Sequence, residues 1–230
     1  MSQGPLAGSA GPHVFVGSRE QRLLDPDDAT HLERSLRMRN GDPLTISDGQ
    51  GSWARAVLGT DGTLAEVGQW QQTPDQPYET TVAFSLVKGA KPELVVQKLT
   101  ELGVDKIVGL VAERSVVRWD EAKQVKAMQR WERIAREASM QSHRVRLPQI
   151  VAVVEAATFF SADSTVALAH FDGAAVTNKH RCIAIGPEGG WSDRELEAAQ
   201  SRVSLGETVL RAETAAITAG ALMVAARRTN

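Results

Sequence analysis

The chain has 230 residues, 42% hydrophobic and 23% charged, with 26 basic and 28 acidic side chains and a formal net charge of −2; these values belong to folded globular proteins and exclude disordered and collagen-like chains. The longest apolar runs, Val108–Ala112 and the small-residue stretch Ile217–Ala226, fall short of the roughly 18 residues that a spanning helix needs, so no membrane partner is expected. Residues 1–12 lack the positive charge and apolar block of a secretory signal, which makes a flexible leader and a cytoplasmic location the expectation.

Asp25-Pro26, a charged segment and Asn40-Gly41 give the cap, first-turn proline and terminal glycine of one helix of about three turns. Three apolar-alternating runs follow, Leu44–Ser47, Ser52–Leu58 and Thr63–Trp70, separated by Asp48-Gly49-Gln50-Gly51 and Thr60-Asp61-Gly62. They predict strands joined by tight turns, hence a small, mostly antiparallel barrel or sandwich. The polar, proline-bearing stretch Gln71–Pro77 reads as the linker, giving a first domain over 13–73, a linker at 74–79 and a second domain over 80–230.

From Thr81 strands and helices alternate. Strands are predicted at 81–87, 106–112, 149–153, 165–171, 181–185 and 202–205, and helices at 92–102, 120–142, 155–160, 192–201 and 212–227. This pattern implies a mainly parallel sheet covered by helices on both faces, whose ligands bind beyond the carboxyl ends of its strands. The lone cysteine, Cys182, lies in the apolar run Cys182–Ile185 and reads as a small buried residue, with no partners for a disulfide or a zinc site.

Charge is unevenly spread. Residues 1–75 carry 6 Arg, no Lys and 10 acids, whereas Arg114–Arg146 alone holds nine bases against four acids. That local excess is a candidate phosphate-facing stripe, although charges at helical spacing commonly form only a solvated face.

The most informative stretch is Ile185-Gly186-Pro187-Glu188-Gly189-Gly190-Trp191-Ser192, which joins a buried strand to a helix opened by the capping box Ser192-Asp193-Arg194-Glu195. It lacks the Gly-Lys-Ser/Thr of a phosphate loop and the spacing of a dinucleotide fingerprint, and Glu188 would repel a bound phosphate. A neutral or cationic ligand suits it better; a sharp turn without a ligand fits equally well. Downstream, Ser204–Ala215 places apolar Leu205, Val209 and Leu210 around Gly206 and opens a helix with Glu213 in its first turn, where an acid complements the helix dipole. Arg211 is mildly unfavourable at that position unless an anion is bound nearby.

Together, Ile185–Ser192 and Leu210-Arg-Ala-Glu-Thr-Ala215 resemble the paired signature of the RsmE-like methyltransferases. Lys88-Gly-Ala-Lys91, Gln97–Val104, Glu113–Trp119, Gln141-Ser-His-Arg144 and, in the first domain, His31–Arg37 with Gly41-Asp42 and Asp48-Gly49 follow in family order. The resemblance covers about residues 13–228. It implies an α/β protein, with a small N-terminal PUA-like β-barrel domain and a C-terminal SPOUT-class, trefoil-knotted α/β methyltransferase domain. It also implies a homodimer in which S-adenosyl-L-methionine methylates N3 of a uridine in 16S ribosomal RNA of the small subunit. By matched motif, Gly186, Pro187, Glu188, Gly189 and Gly190, with Leu205, Gly206 and Leu210, would wrap this cofactor, and Leu168 and Ala169 would form a third wall.

Uracil N3 bears an imide proton, so the base must be unpaired or flipped outward and must lose that proton for transfer. Arg114, Arg144 and Arg211 are the candidates for phosphate or uracil-oxygen contacts, and Glu213 is a weak candidate base. Each has a structural competitor, and His143 and His170 read as ordinary core or surface histidines. No spaced His, Asp or Cys set suggests a catalytic metal. Competing readings are ribose 2′-O-methylation, a catalytically silent RNA-binding factor and a small-molecule enzyme.

Overall fold

The computed structural model describes residues 11–228, so the first ten residues of the expected leader lie outside the described residues. The chain divides into two compact units, Met1–Gln76 with Arg136–Leu147 and Pro77–Ala135 with Pro148–Asn230.

The first unit is built on a sheet ordered β1 (His13–Phe15), β2 (Pro43–Ser47), β3 (Ser52–Leu58) and β4 (Leu64–Val67), with β5 (Gln71–Gln72) also paired to β3. All pairings are antiparallel except β1 with β2. Alternation on β2 sends Leu44 and Ile46 into an apolar core with Val14, Leu32, Ala54 and Leu58, while Thr45 and Ser47 are equally buried around His13. The His13 ring bonds Thr45 Oγ1 through Nδ1 at 2.9 Å and Ser47 Oγ through Nε2 at 3.0 Å.

Three elements differ from the sequence reading, the first being the short strand β1, which it did not predict. The single three-turn helix is instead α1 (Pro26–Thr30), capped by the Asp25 side chain, followed by a π-helical turn over His31–Ser35. Arg37 at φ +56 turns the chain left-handed there and prevents the helix from reaching Asn40. Strand β5 occupies Gln71–Gln72, placed in the polar linker because neither residue carries an apolar signal; its partners on β3 are Trp53 and Ser52.

The segment Arg136–Leu147 completes this unit from far along the chain. Arg136 donates from both terminal nitrogens to the two oxygens of Asp28, at 2.8 and 2.5 Å, a bidentate pair around a carboxylate residue only 6% exposed. Arg146 donates to the carbonyls of Gln50 at 2.6 Å and Thr73 at 2.9 Å.

The second unit holds a wholly parallel six-stranded sheet ordered β11 (Ser201–Ser204), β9 (Ala167–Ala175), β10 (Cys182–Ile185), β6 (Thr81–Ser85), β7 (Lys106–Val111) and β8 (Gln149–Glu155). Alternation along β6 and β10 splits the interior into two cores. Val82, Phe84, Ile183 and Ile185 pack with residues of α2 (Lys91–Leu102), α3 (Glu121–Gln141) and α6 (Ala212–Arg228). Ala83, Cys182 and Ala184 pack with residues of α4 (Ala156–Ala162), and partly buried Leu196 of α5 (Asp193–Ala198) joins them. The sheet is thus covered on both faces, as the alternation implied, and burial pushes the Cys182 thiol up to about 12.

Strand β9 carries a large irregularity. Arg202 and Val203 are adjacent on β11, yet their β9 partners are Leu168 and Ala174, so Ala169–Gly173 loop out of register. Gly173 permits the return: a Cβ there would lie 2.3 Å from the Val203 carbonyl carbon and 2.5 Å from its nitrogen. Backbone cannot yield as a flexible side chain does. Gly173→Ala is therefore expected to cost about 2 kcal/mol, read as a lower urea midpoint, with loss of the β9–β11 register.

Candidate active site

Because β9, β10 and β11 are parallel and adjacent, three segments lie at one edge of the sheet: the Ala169–Gly173 bulge, which opens where β9 stops pairing with β10, and the loops Gly186–Ser192 and Leu205–Arg211 that follow β10 and β11. Next along the same edge come the loops after β6, with Lys88, and after β7, with Glu113 and Arg114. Lys88 and Arg211, the outermost of these groups, lie 123 positions apart in the sequence; strand order alone gathers them.

Trp191 ties the edge together. Its residue is 4% exposed, its indole N–H donates to the Ala169 carbonyl at 3.3 Å, and its ring lies edge-on to Phe160 with centroids 5.4 Å apart. A Cβ on Gly186 would meet this ring at 3.0 Å, so the glycine is what lets the indole fold under the loop. Arg114 donates from Nη1 to the Trp191 carbonyl at 2.9 Å. The capping box at Ser192 forms as the sequence implied, and its Glu195, 4% exposed, also accepts from the Glu113 N–H at 2.9 Å. The β7 loop is thereby fastened to the glycine loop.

The residues expected to hold a ligand distribute unequally along this edge. Leu168 is fully buried inside the sheet and Pro187 is buried, whereas Glu188, Gly189, Gly190 and Gly206 are exposed and Ala169, Gly186, Leu205 and Leu210 are half-buried. Gly190 at φ +71 and Gly206 at φ +152 adopt conformations reserved for glycine, and a Cβ at either would meet nothing within 4 Å. Both glycines are exposed, so their backbone N–H and C=O groups face solvent, with half-buried Leu205 and Leu210 bracketing Gly206 in the sequence.

Arg211 is exposed at the start of α6, where its carbonyl accepts from the Ala215 N–H at 2.8 Å. Glu213 lies one helical step further in. Its Oε1 is 3.1 Å from Lys91 Nζ, and its Oε2 is buried without a hydrogen-bond partner. Burial pushes this carboxyl upward, but its own backbone N–H, Lys91 and Arg211 outweigh burial and leave it below the ordinary carboxylate range. A carboxylate held this way is a weak proton acceptor. Arg144 belongs to the first unit.

Much of the basic stretch Arg114–Arg146 serves intramolecular contacts: Arg130 reaches Glu93 at 3.2 Å, Arg136 binds Asp28 and Arg146 binds Asp75. Net charge along a sequence counts cations without showing which are already paired, so the stripe is narrower than its composition suggested.

The sequence reading also passed over two arrangements. Lys91, within a motif it had marked, pairs with Glu213. His170, taken as an ordinary histidine, bonds Asp172 through Nδ1, and Asp172 Oδ2 accepts from Arg202 Nη1 at 2.9 Å. The His-x-Asp spacing is the signal that could have revealed the second, since residues two apart on an extended chain share a face.

A family model described as an RNA methyltransferase domain matches residues 74–224, and one described as an RNA methyltransferase PUA domain matches residues 24–64. The ribosomal RNA small subunit methyltransferase E of Mycobacterium tuberculosis is 33% identical, with 86% of this chain and 83% of that protein covered. The chain belongs to the ribosomal RNA small subunit methyltransferase E family. The Bacillus subtilis member is 29% identical over 82% of this chain and 84% of its own length. The Neisseria gonorrhoeae member, solved bound to S-adenosyl methionine, superimposes with a TM-score of 0.81 at 26% identity, covering 95% of this chain and 97% of that one. Family membership accounts for the two-unit organisation, with a PUA-type module ahead of an α/β methyltransferase domain. Among the described residues, no helix is long and apolar enough to cross a membrane.

Proposed function

We propose that this chain transfers a methyl group from S-adenosyl-L-methionine to N3 of a uridine in 16S ribosomal RNA of the small subunit, acting as a cytoplasmic homodimer. The observation that carries this reading is that the β9 bulge and the loops after β10 and β11 lie together at one edge of the parallel sheet, tied by Trp191, in a member of this family. The C-terminal trefoil knot and the dimer belong to the same proposal and rest on the resemblance; the division of domains at 74–79 belongs to it too and rests on the polar, proline-bearing linker.

In this reading Gly186, Pro187, Glu188, Gly189 and Gly190 with Leu205, Gly206 and Leu210 hold the cofactor, and Ala169, backed by buried Leu168, closes it off. When bound, the cofactor supplies an electrophilic methyl group on a positive sulfonium. The protein must present uracil N3 in line with it, remove the imide proton and stabilise the negative charge that develops on the uracil oxygens. Arg211, exposed at the positive end of α6, and Arg114, fixed to the Trp191 carbonyl, are the cations we assign to RNA phosphate or uracil oxygens on this edge; Arg144 is assigned to RNA from the first unit. Glu213 holds Lys91 in place rather than accepting the proton.

Mass spectrometry of ribosomal RNA from cells with and without the protein tests the reading: a methyluridine that blocks reverse transcription should vanish with the gene. A ribose methyl, which leaves base pairing intact, would overturn it. In vitro, Arg144→Gln should weaken binding to small ribosomal subunits several-fold and reduce its salt dependence by about one unit of logarithmic slope, with S-adenosyl-L-methionine affinity unchanged by calorimetry.

A further inference from the structure

The bulge Ala169–Gly173 holds three groups that the cofactor site does not employ. His170 donates from Nδ1 to Asp172 Oδ1, and the second Asp172 oxygen is taken by Arg202 of β11. The Asp172 carboxyl lies below its ordinary range, chiefly through the His170 hydrogen bond, with the charge and hydrogen bond of Arg202 adding to it. An ionised Asp172 fixes the tautomer: with Nδ1 bearing the proton, Nε2 carries the free lone pair. A base oriented by a carboxylate on its far nitrogen is a recurrent arrangement for moving a proton at neutral pH.

Beside it, Phe171 is 83% exposed, its ring centroid 4.3 Å from that of His170 and tilted 34°. Leaving a phenylalanine this exposed in water forgoes burial that the second core offers its other aromatic rings. A flat apolar surface next to an oriented base matches the needs of an unstacked pyrimidine, which gains about 1–3 kcal/mol from stacking on an aromatic ring. The position is also right: residue 169, immediately before the pair, is the one whose carbonyl holds Trp191 of the glycine loop.

We propose that His170, oriented by Asp172, takes the N3 proton of the target uracil while that base stacks on Phe171; this rests on the functional reading above. The N3–H bond breaks toward His170 Nε2, the N3 electron pair forms the bond to the methyl carbon, and the sulfur–carbon bond breaks with its pair retained by sulfur. The products are N3-methyluracil, a neutral thioether and an imidazolium, which then returns its proton to water. Asp172, bonded to this ring, and Arg202, bonded to Asp172, need not change protonation in the step.

The test uses full-length protein and small ribosomal subunits from cells lacking it. His170→Gln should lower kcat about 100-fold and flatten the acid limb of the pH–rate profile, with S-adenosyl-L-methionine affinity within two-fold by calorimetry. Imidazole in the buffer should restore part of the activity of His170→Ala, a rescue that a purely structural histidine would not show. Asp172→Asn should lower kcat about ten-fold and, independently of turnover, abolish the downfield NMR signal of the Nδ1 proton. Phe171→Ala should raise KM for the subunit several-fold more than it lowers kcat. Undiminished kcat and an unchanged pH profile in His170→Gln, with the wild-type protein active, overturn this inference alone; should that variant not fold, undiminished kcat in Asp172→Asn overturns it equally. Absence of methyl transfer by the wild-type protein overturns the functional reading and this inference with it.

Discussion

Replacing Trp191 by alanine is expected to destabilise the second unit by about 3–5 kcal/mol, the usual range for emptying a buried tryptophan site, and to weaken S-adenosyl-L-methionine binding at least ten-fold. Both effects have one origin. The indole fills the space under Gly186, packs on Phe160 and holds the end of β9 through the Ala169 carbonyl. Removing it leaves that carbonyl without its donor and lets two loops separate that would have to meet around one ligand. Trp191→Phe keeps most of the ring packing and loses the single hydrogen bond, so its cost should be nearer 1 kcal/mol. Thermal unfolding and calorimetry on the two variants separate packing from the hydrogen bond. An alanine variant that binds the cofactor normally would show that the glycine loop does not depend on the indole.

The first unit should lose stability steeply as the solution is acidified below neutrality. His13 is 2% exposed and bonds two hydroxyls; burial, reinforced by nearby His143, lowers its pKa from 6.5 to about 3. The folded state therefore resists a proton that the unfolded chain accepts. Stability from this group is complete above pH 6.5 and falls by about 1.4 kcal/mol per pH unit as pH descends from there towards 3, or roughly 2–3 kcal/mol by pH 4.5. Denaturant titrations at pH 7.5 and 4.5, with His13→Gln alongside, isolate this contribution from that of the carboxylates. The variant should be less stable at pH 7.5, because a glutamine cannot reproduce both ring hydrogen bonds, yet show the shallower decline.

The regular part of the fold was legible because its residues follow simple periods. The strands of the α/β unit were located within a few residues by their apolar runs, and α2 by its proline start and Gly103, whose φ of +93 makes the left-handed cap. What escaped had weak local signals. Strand β1 has three residues, β5 has two polar ones, and the π turn at His31–Ser35 obeys no apolar period. In the site, the glycine loop and the Arg211–Glu213 helix start stood out because glycine and charge carry meaning one residue at a time. The His170–Asp172–Arg202 arrangement did not, since Arg202 lies 30 positions away and meets Asp172 only through a register shift that no pattern in one strand encodes. Glu213 shows the converse: its residue type suggested a base, and its actual partner, Lys91, enters from another helix.

The contribution of Arg136–Leu147 to the first unit has a consequence for how the protein is made. Chains generally begin folding from the end that leaves the ribosome first, but here the amino-terminal unit still lacks Arg136 and Arg146 after its own strands have emerged. Until those arginines arrive, Asp28 has no counterion in a nearly dry setting, which is costly, and the carbonyls of Gln50 and Thr73 lack their guanidinium donor. The nascent chain must therefore wait for some seventy more residues before its oldest part can close. A truncation ending at Gln76 should behave as an incomplete module, and excising the unit for separate study calls for splicing the later segment back on.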